Sequence, residues 1–222
     1  MTIVKAKPYD FECQLAKTAL IIIDMQNDFV APGGFGELLG NDMSVIRTPI
    51  APLQKLLKFA RENNLFVIHT REGHRPDLLD CPITKQRRSK RQGAGIGDLG
   101  PNGRILIRGE QGHQIIDELT PIEGEPIIDK PGKGSFYQTD LDLILRNRGI
   151  ESLLVTGVTT HVCVESTIRE ANDRGYECLL LEDCTAAFDP KDKEKVLWTV
   201  QQQGAIFGWV SDSVKFMEAA KK

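Results

Sequence analysis

Apolar residues along this chain follow two alternating rhythms. The segment TALIIID, Thr18 to Asp24, is a short β-branched run ending in a carboxylate, and LFVIHT, Leu65 to Thr70, is a second run of the same kind. Continuous apolar runs of this length suit strands buried on both faces of a parallel sheet. Between them Ile46, Ile50, Leu53, Leu56, Leu57 and Ala60 recur near helical spacing, which predicts a helix from Ser44 to Asn63 and, with its flanking strands, one βαβ unit. A Gly-rich, charged stretch follows, from Arg71 to Glu123. Beyond it EPIIDK, SLLVTG and YECLLLED predict further strands. Amphipathic segments Thr139–Arg148 and Val162–Arg174 separate them, Lys191–Gln203 follows the last, and AIFGWV closes the pattern as a short edge strand.

Strands alternating with helices define an α/β fold: three layers, αβα, around a mainly parallel central sheet. No internal repeat or low-complexity linker interrupts residues 1–222, so the sequence reads as a single domain with residues 71–123 as an excursion from it. Loops of that length tend to cover sites, and open α/β sheets bind ligands beyond the carboxyl ends of their strands.

Composition then removes several function classes. Hydrophobic residues make up 41% and charged residues 27%, with a formal net charge of -3, the balance of an ordinary globular protein with a core of its own. Such a chain has no global field for phosphate backbones, and no nucleic-acid partner is expected. Its one basic run, KQRRSKR at Lys85–Arg91, lacks interleaved aromatics and lies in a loop-like stretch, so it reads as a solvated loop or subunit contact. No segment approaches the roughly 18 uninterrupted apolar residues of a membrane helix. The first residues also lack the apolar core of a signal peptide, and a cytoplasmic protein is the expectation. Cys13, Cys81, Cys163, Cys178 and Cys184 are odd in number and show no CxxC pair and no zinc spacing. They read as buried thiols, with room for one nucleophile.

Three chemically capable residues fall at strand ends: Asp24, Lys130 and Cys163. A thiol near a helix N-terminus gains from unpaired amides and the helix dipole, and a neighbouring ammonium lowers its pKa further. Asp24 is placed to accept the thiol proton and return it to a leaving amine, while the amides of Thr159 to Cys163 suit an oxyanion. Residue types and spacing alone leave this open. A cysteine on a helix is more often a buried hydrophobe, a strand-end Asp often caps a helix, and a Lys usually faces solvent.

The blocks ALIIIDMQNDF, KPGKGSFYQTDL and GVTTHVCVESTIREANDRGYECLLLEDCTAAFD resemble the isochorismatase-like cysteine hydrolase family, in the expected order and over nearly the whole chain. The resemblance implies Asp24 as acid/base, Lys130 as the orienting and polarising cation, and Cys163 as the nucleophile toward a carboxamide carbon. It also implies a cis peptide before Thr159 and an oxyanion hole at Thr159 and Cys163. True isochorismatases, which cleave a vinyl ether, lack the cysteine, so Cys163 argues against that activity. Nicotinamidases carry a metal site built from an Asp and two His after the second strand. Here IHTREGHRPDLLD has Glu72 and His74 without that pattern, and neither a catalytic metal nor a cofactor is expected.

The blocks HTREGHRPDL, RQGAGIGDLGPNGRILIRGE, IIDKPGKGSF and REANDRGYECLLLEDC are similar to a subgroup, the biuret and triuret hydrolases. That likeness implies a small-molecule ureide substrate, water as the second reactant, and Gln203 as the contact for a terminal carboxamide, an end that needs both donor and acceptor. A solvated helix-end glutamine is the alternative reading of Gln203. Phe29 and Tyr137 are candidate pocket walls and Glu72 a candidate binding or orienting group, each with a structural alternative as core aromatic or surface carboxylate. His161 stands where the subgroup more often has Asp. FGWVSD is similar instead to ureidoacrylate hydrolases, whose substrate carries a carboxylate, with Arg71 and Arg75 as candidate cations. Members of the fold are commonly oligomeric, which implies a homo-oligomer with residues 71–123 in the contact. A non-catalytic binding module on the same fold is the alternative of another class.

Overall fold

β3 (Thr18–Ile23) is buried at every position, as an unbroken β-branched run requires. It lies inside a six-stranded sheet with the order β10-β9-β8-β3-β4-β7 in a computed structural model that describes residues 1–221. The other members are β4 (Phe66–Glu72), β7 (Ile127–Lys130), β8 (Ser152–Val158), β9 (Glu177–Ala186) and β10 (Trp209–Ser211), and every pairing is parallel. Two small antiparallel pairs stand apart, β1 (Thr2–Val4) with β2 (Phe11–Cys13) and β5 (Leu99–Gly100) with β6 (Gly103–Arg104).

Strand periodicity divides the interior into two cores. Leu20 and Ile22 pack with Leu53, Leu56 and Leu57 of α4 (Ile50–Glu62) and Phe216 of α9 (Ser213–Ala220). Ala19, Ile21 and Ile23 face the opposite layer, where α6 (Leu141–Asn147), α7 (Glu165–Asp173) and α8 (Pro190–Ala205) contribute Leu145, Ile168 and Val200. Helices on both faces of a parallel sheet give the three-layer α/β architecture expected from the sequence.

Three local expectations need correction. The helix expected over residues 44–63 is two, α3 (Met43–Ile46) and α4, because Pro49 disfavours helical backbone at Thr48 and lacks an amide to continue the ladder. AIFGWV is not a strand throughout: Ala205 closes α8, Gly204 and Gly208 adopt positive φ, and pairing begins only at Trp209. The basic run is no loop but most of a helix, α5 (Ile83–Arg91). Lys and Arg are strong helix formers, and Arg88, Lys90 and Arg91 fall in its last turn, where cations complement the helix dipole.

Gly157 shows how tightly the sheet is drawn beside the future site. Its φ is +101°, and a Cβ there would overlap the backbone of Ile23, one residue before Asp24. Gly157→Ala is expected to cost about 3 kcal/mol or more, from left-handed backbone and steric overlap together. Urea unfolding measures it, and a loss below about 1 kcal/mol would refute this account.

Candidate active site

The carboxyl ends of four adjacent strands supply the site. Asp24 follows β3 directly with φ +51°, a backbone turn that Asp tolerates better than most residues. Its amide bonds to the Thr70 carbonyl of β4, and its Oδ1 accepts from Thr70 Oγ1 at 2.6 Å. Glu72 ends β4 and Lys130 ends β7, and the two face each other in register across the parallel ladder. Gln26 locks that rung. Its Oε1 accepts from the Glu72 amide at 2.7 Å while its Nε2 donates to the Glu72 carbonyl at 3.0 Å. After β8 the Val158–Thr159 peptide is cis, as the resemblance implied, and Cys163 sits in a wide helical turn, Thr160–Val164, that leads into α7.

Side chains from these four ends meet in a dry cluster. Asp24, Glu72 and Lys130 are fully buried and Cys163 is 3% exposed. Lys130 Nζ lies 2.7 Å from Asp24 Oδ2 and 3.9 Å from Glu72 Oε2, and donates to the carbonyls of Gly132 and Lys133. Glu72 also receives Lys85 Nζ at 2.6 Å and Lys133 Nζ at 2.8 Å, and Cys163 Sγ donates to its Oε2 at 3.4 Å. Burial works to neutralise the Glu72 carboxylate, but the ammoniums of Lys133, Lys130 and Lys85 outweigh it and hold its pKa far below the usual range. Burial likewise pulls Lys130 down, and Asp24, Cys163 and Glu72 lift it above the usual lysine value.

The thiol departs from expectation. Burial raises the Cys163 pKa well above its ordinary value, with Asp24 and Glu72 adding to the rise and Lys130 and Lys133 only offsetting part of it. A thiolate depressed by Lys130 and the helix end, as the sequence suggests, is therefore not the resting state. The charge of Lys130 is already engaged by Asp24, and the sulfur is nearly buried.

Cys163 opens onto a cavity of about 340 Å³ that Phe29, Phe35, Phe188, Thr159, Glu72 and Lys133 help to line. Asn41 and Gln92 add amide groups to its wall. The Thr159 carbonyl accepts from the amides of Val162 and Val164, which fixes the turn carrying the nucleophile candidate. Phe29, Glu72 and Thr159 are thus brought together in the wall of this cavity. Tyr137 does not: it is 55% exposed and packs against Gly132 rather than lining the cavity. Gln203 is exposed at a kink near the end of α8, with φ +51°, and contributes nothing to the cavity wall. Arg71 is held by Asp129 at 2.7 and 3.0 Å and Arg75 by Asp77, so neither offers a free cation to the cavity. The cation in the cavity wall is Lys133, paired with Glu72 but with its side chain 46% exposed. Sequence reasoning missed Lys133 and Lys85. The first lies in the quoted block KPGKGSF, and the second opens the basic run.

Ligand atoms of Asp24, Glu72 and Cys163 lie within 4.8 Å of one another, the one such group among the described residues. The ammonium of Lys130 already supplies the cation between them, and Lys85 and Lys133 balance Glu72 from outside.

Next to Phe29 in the chain, Asp28 of α1 (Asn27–Val30) is 2% exposed and accepts from the amide of Leu106 at 2.9 Å. Burial pushes its pKa up to about 6, although bonds from the Leu106 and Phe35 amides oppose the rise. A raised carboxylate binds its proton more tightly in the folded protein, so its stabilising effect is full below the unfolded pKa near 3.8 and is lost as pH climbs through about 6. Wild type is expected to lose about 3 kcal/mol relative to Asp28→Asn between about pH 3.5 and pH 7, at no more than ~1.4 kcal/mol per unit. Parallel urea titrations of the two proteins check this, and equal pH slopes would contradict it.

A protonated thiol beside a carboxylate–ammonium pair, at the carboxyl edge of a parallel sheet, equips a protein for nucleophilic hydrolysis. Comparison with known proteins agrees with that class. The isochorismatase domain matches residues 18–213, and the chain belongs to that family of hydrolases. It is similar over its whole length to a cysteine hydrolase from Pseudomonas syringae pv. phaseolicola 1448A, with 26% identity, 98% of that chain covered and a TM-score of 0.81. An isochorismatase-like hydrolase from Alkaliphilus metalliredigens matches at 28% identity and TM-score 0.71, covering 92% of this chain and 99% of that one. The N-carbamoylsarcosine amidase of Thermoplasma acidophilum matches at 26% identity and TM-score 0.67, covering 89% and 96%. Among the described residues no helix is long and apolar enough to cross a membrane.

Proposed function

We propose that this protein is a cysteine amidohydrolase that cleaves a linear amide of a small ureide, of biuret or triuret type, and releases ammonia. The observation that carries the reading is the meeting of Cys163, which lines the cavity, with the buried pair of Asp24 and Lys130. As Sγ attacks the carboxamide carbon, its proton passes to Asp24, and the tetrahedral oxyanion is received by the amides of the Thr159–Cys163 turn. Asp24 returns the proton to the leaving nitrogen, the C–N bond breaks, and an acyl-enzyme remains on Cys163. Water, deprotonated by Asp24, then attacks the acyl carbon and restores the thiol. Lys130 keeps Asp24 in place and charged between steps.

Blocks similar to the biuret and triuret hydrolases support the ureide, and Phe29, Phe35 and Phe188 suit its flat face. A second reading, a ureido acid or N-carbamoyl amino acid, is supported by the ammonium of Lys133 in the cavity wall. An ammonia-release screen across biuret, triuret, ureidoacrylate and N-carbamoyl amino acids separates them, with nicotinamide as control. Turnover of a neutral ureide supports the first reading and of an anionic one the second. Release from none of them would overturn the proposed substrate class.

A further inference from the structure

We propose that Glu72 is a positioning residue that holds Cys163 as an aligned, uncharged thiol in the resting enzyme, with Lys85 of the basic helix α5 as its balancing cation. This rests on reading Cys163 as the nucleophile, and it gives Glu72 a role other than contact with substrate.

Asp24 does not receive the thiol in the resting arrangement. Its Oδ1 accepts from Thr70 and its Oδ2 is ion-paired with Lys130, whereas Glu72 Oε2 stands 3.4 Å from Sγ and is the acceptor of the thiol among the described residues. The Glu72 backbone cannot drift, because Gln26 and the ladder to Lys130 fix both its ends. Its carboxylate is fixed as well. Lys85 Nζ grips Oε1 at 2.6 Å while also donating to His74 Nε2 at 2.9 Å and to the Pro131 carbonyl at 2.8 Å. With Nε2 accepting, the His74 proton is assigned to Nδ1, toward Asp80 Oδ1 at 3.3 Å. Lys85 thereby ties α5 to the strand ends beneath the nucleophile.

The groups facing Glu72 set its chemistry. Lys85, His74 and Cys81 come from the segment after β4, Lys130 and Lys133 from β7 and the loop beyond it, Asp24 from the end of β3, and Cys163 from the turn after β8. A carboxylate shared among three ammoniums accepts a hydrogen bond but is a poor resting place for a proton. The proton therefore stays on sulfur until attack on the substrate carbon releases it to Asp24. Two flanking carboxylates also make a free thiolate costly, so an empty site presents little of the form that oxidants and alkylating agents attack.

Iodoacetamide alkylation of the full-length protein, followed by mass spectrometry of the Cys163 peptide from about pH 6 to pH 10, reads the thiol directly. Wild type is expected to react only toward the alkaline end. Glu72→Gln removes the negative charge to which the thiol is bonded, and its midpoint is expected to fall by about one pH unit or more, with alkylation at neutral pH about tenfold faster. Glu72→Asp keeps the charge and is expected to keep the wild-type midpoint. The double variant Glu72→Gln with Lys85→Gln keeps the wild-type net charge of the cluster, and a smaller downward shift is expected in it if the single variant fails to fold. An unchanged midpoint in the folded variants, or wild-type Cys163 already reacting fully near pH 6, would overturn the proposal. The probe needs no substrate. A negative ammonia-release screen therefore leaves this test intact, and a failed alkylation test leaves the hydrolase reading standing.

Discussion

Cys163→Ala is expected to abolish ammonia release, by on the order of 10⁴-fold or more, the scale on which removal of a catalytic nucleophile is felt. The fold should survive. Losing one buried sulfur leaves a cavity smaller than that of a Leu→Ala change, so the stability cost should stay near 1 kcal/mol. Cys163→Ser keeps the shape and still lacks the chemistry, since a hydroxyl at this position has only Asp24 to take its more tightly held proton. Undiminished turnover by the alanine variant would remove the nucleophile from the mechanism altogether. Loss of activity accompanied by loss of the folded state would be uninformative for chemistry, so circular dichroism and urea unfolding accompany the assay.

Lys130→Met should be the more damaging change to the protein itself. Lys130 is fully buried, and its removal strands Asp24 and weakens the balance around Glu72, two fully buried carboxylates. Breaking one side of a buried ion pair costs about 3–5 kcal/mol, because the remaining charge is left uncompensated. Pairing the change with Asp24→Asn should recover much of that stability while activity stays absent. If Lys130→Met unfolds with the wild-type midpoint, the ammonium is not the counter-charge described here.

Much of this arrangement is legible in the sequence, for identifiable reasons. A parallel strand buried on both faces has to be continuously apolar, so TALIII and LLVTG announce themselves, and a polar residue terminating such a run has to be doing something at a sheet edge. Asp24, Lys130 and Cys163 are marked as candidates that way, and the resemblance to the cysteine hydrolase family gives them their roles. Pattern does not report depth. The thiol's helix-end position suggested an acidic cysteine, but 3% exposure and the prior engagement of Lys130 reverse the sign of the effect. Periodicity also says little about which charged residues turn inward. Lys85 looks like one cation among many in KQRRSKR, and only the packing of α5 shows it bonded to Glu72, His74 and Pro131. The likeness that pointed to Gln203 carried position without geometry, and both Gln203 and the candidate wall residue Tyr137 are exposed in this chain.

The four strand ends that meet at Cys163 come from residues 24, 72, 130 and 163, scattered over most of the polypeptide, yet they belong to the neighbouring strands β7, β4, β3 and β8. No local fragment contains enough of them to assemble even the ion pair of Asp24 with Lys130. Closing those long loops is slow, and its entropy is recovered only when the strands dock. Catalytic competence should therefore appear last on the folding pathway and in one step, so that recovery of activity during refolding reports completion of the sheet, while helix formation measured by circular dichroism runs ahead of it.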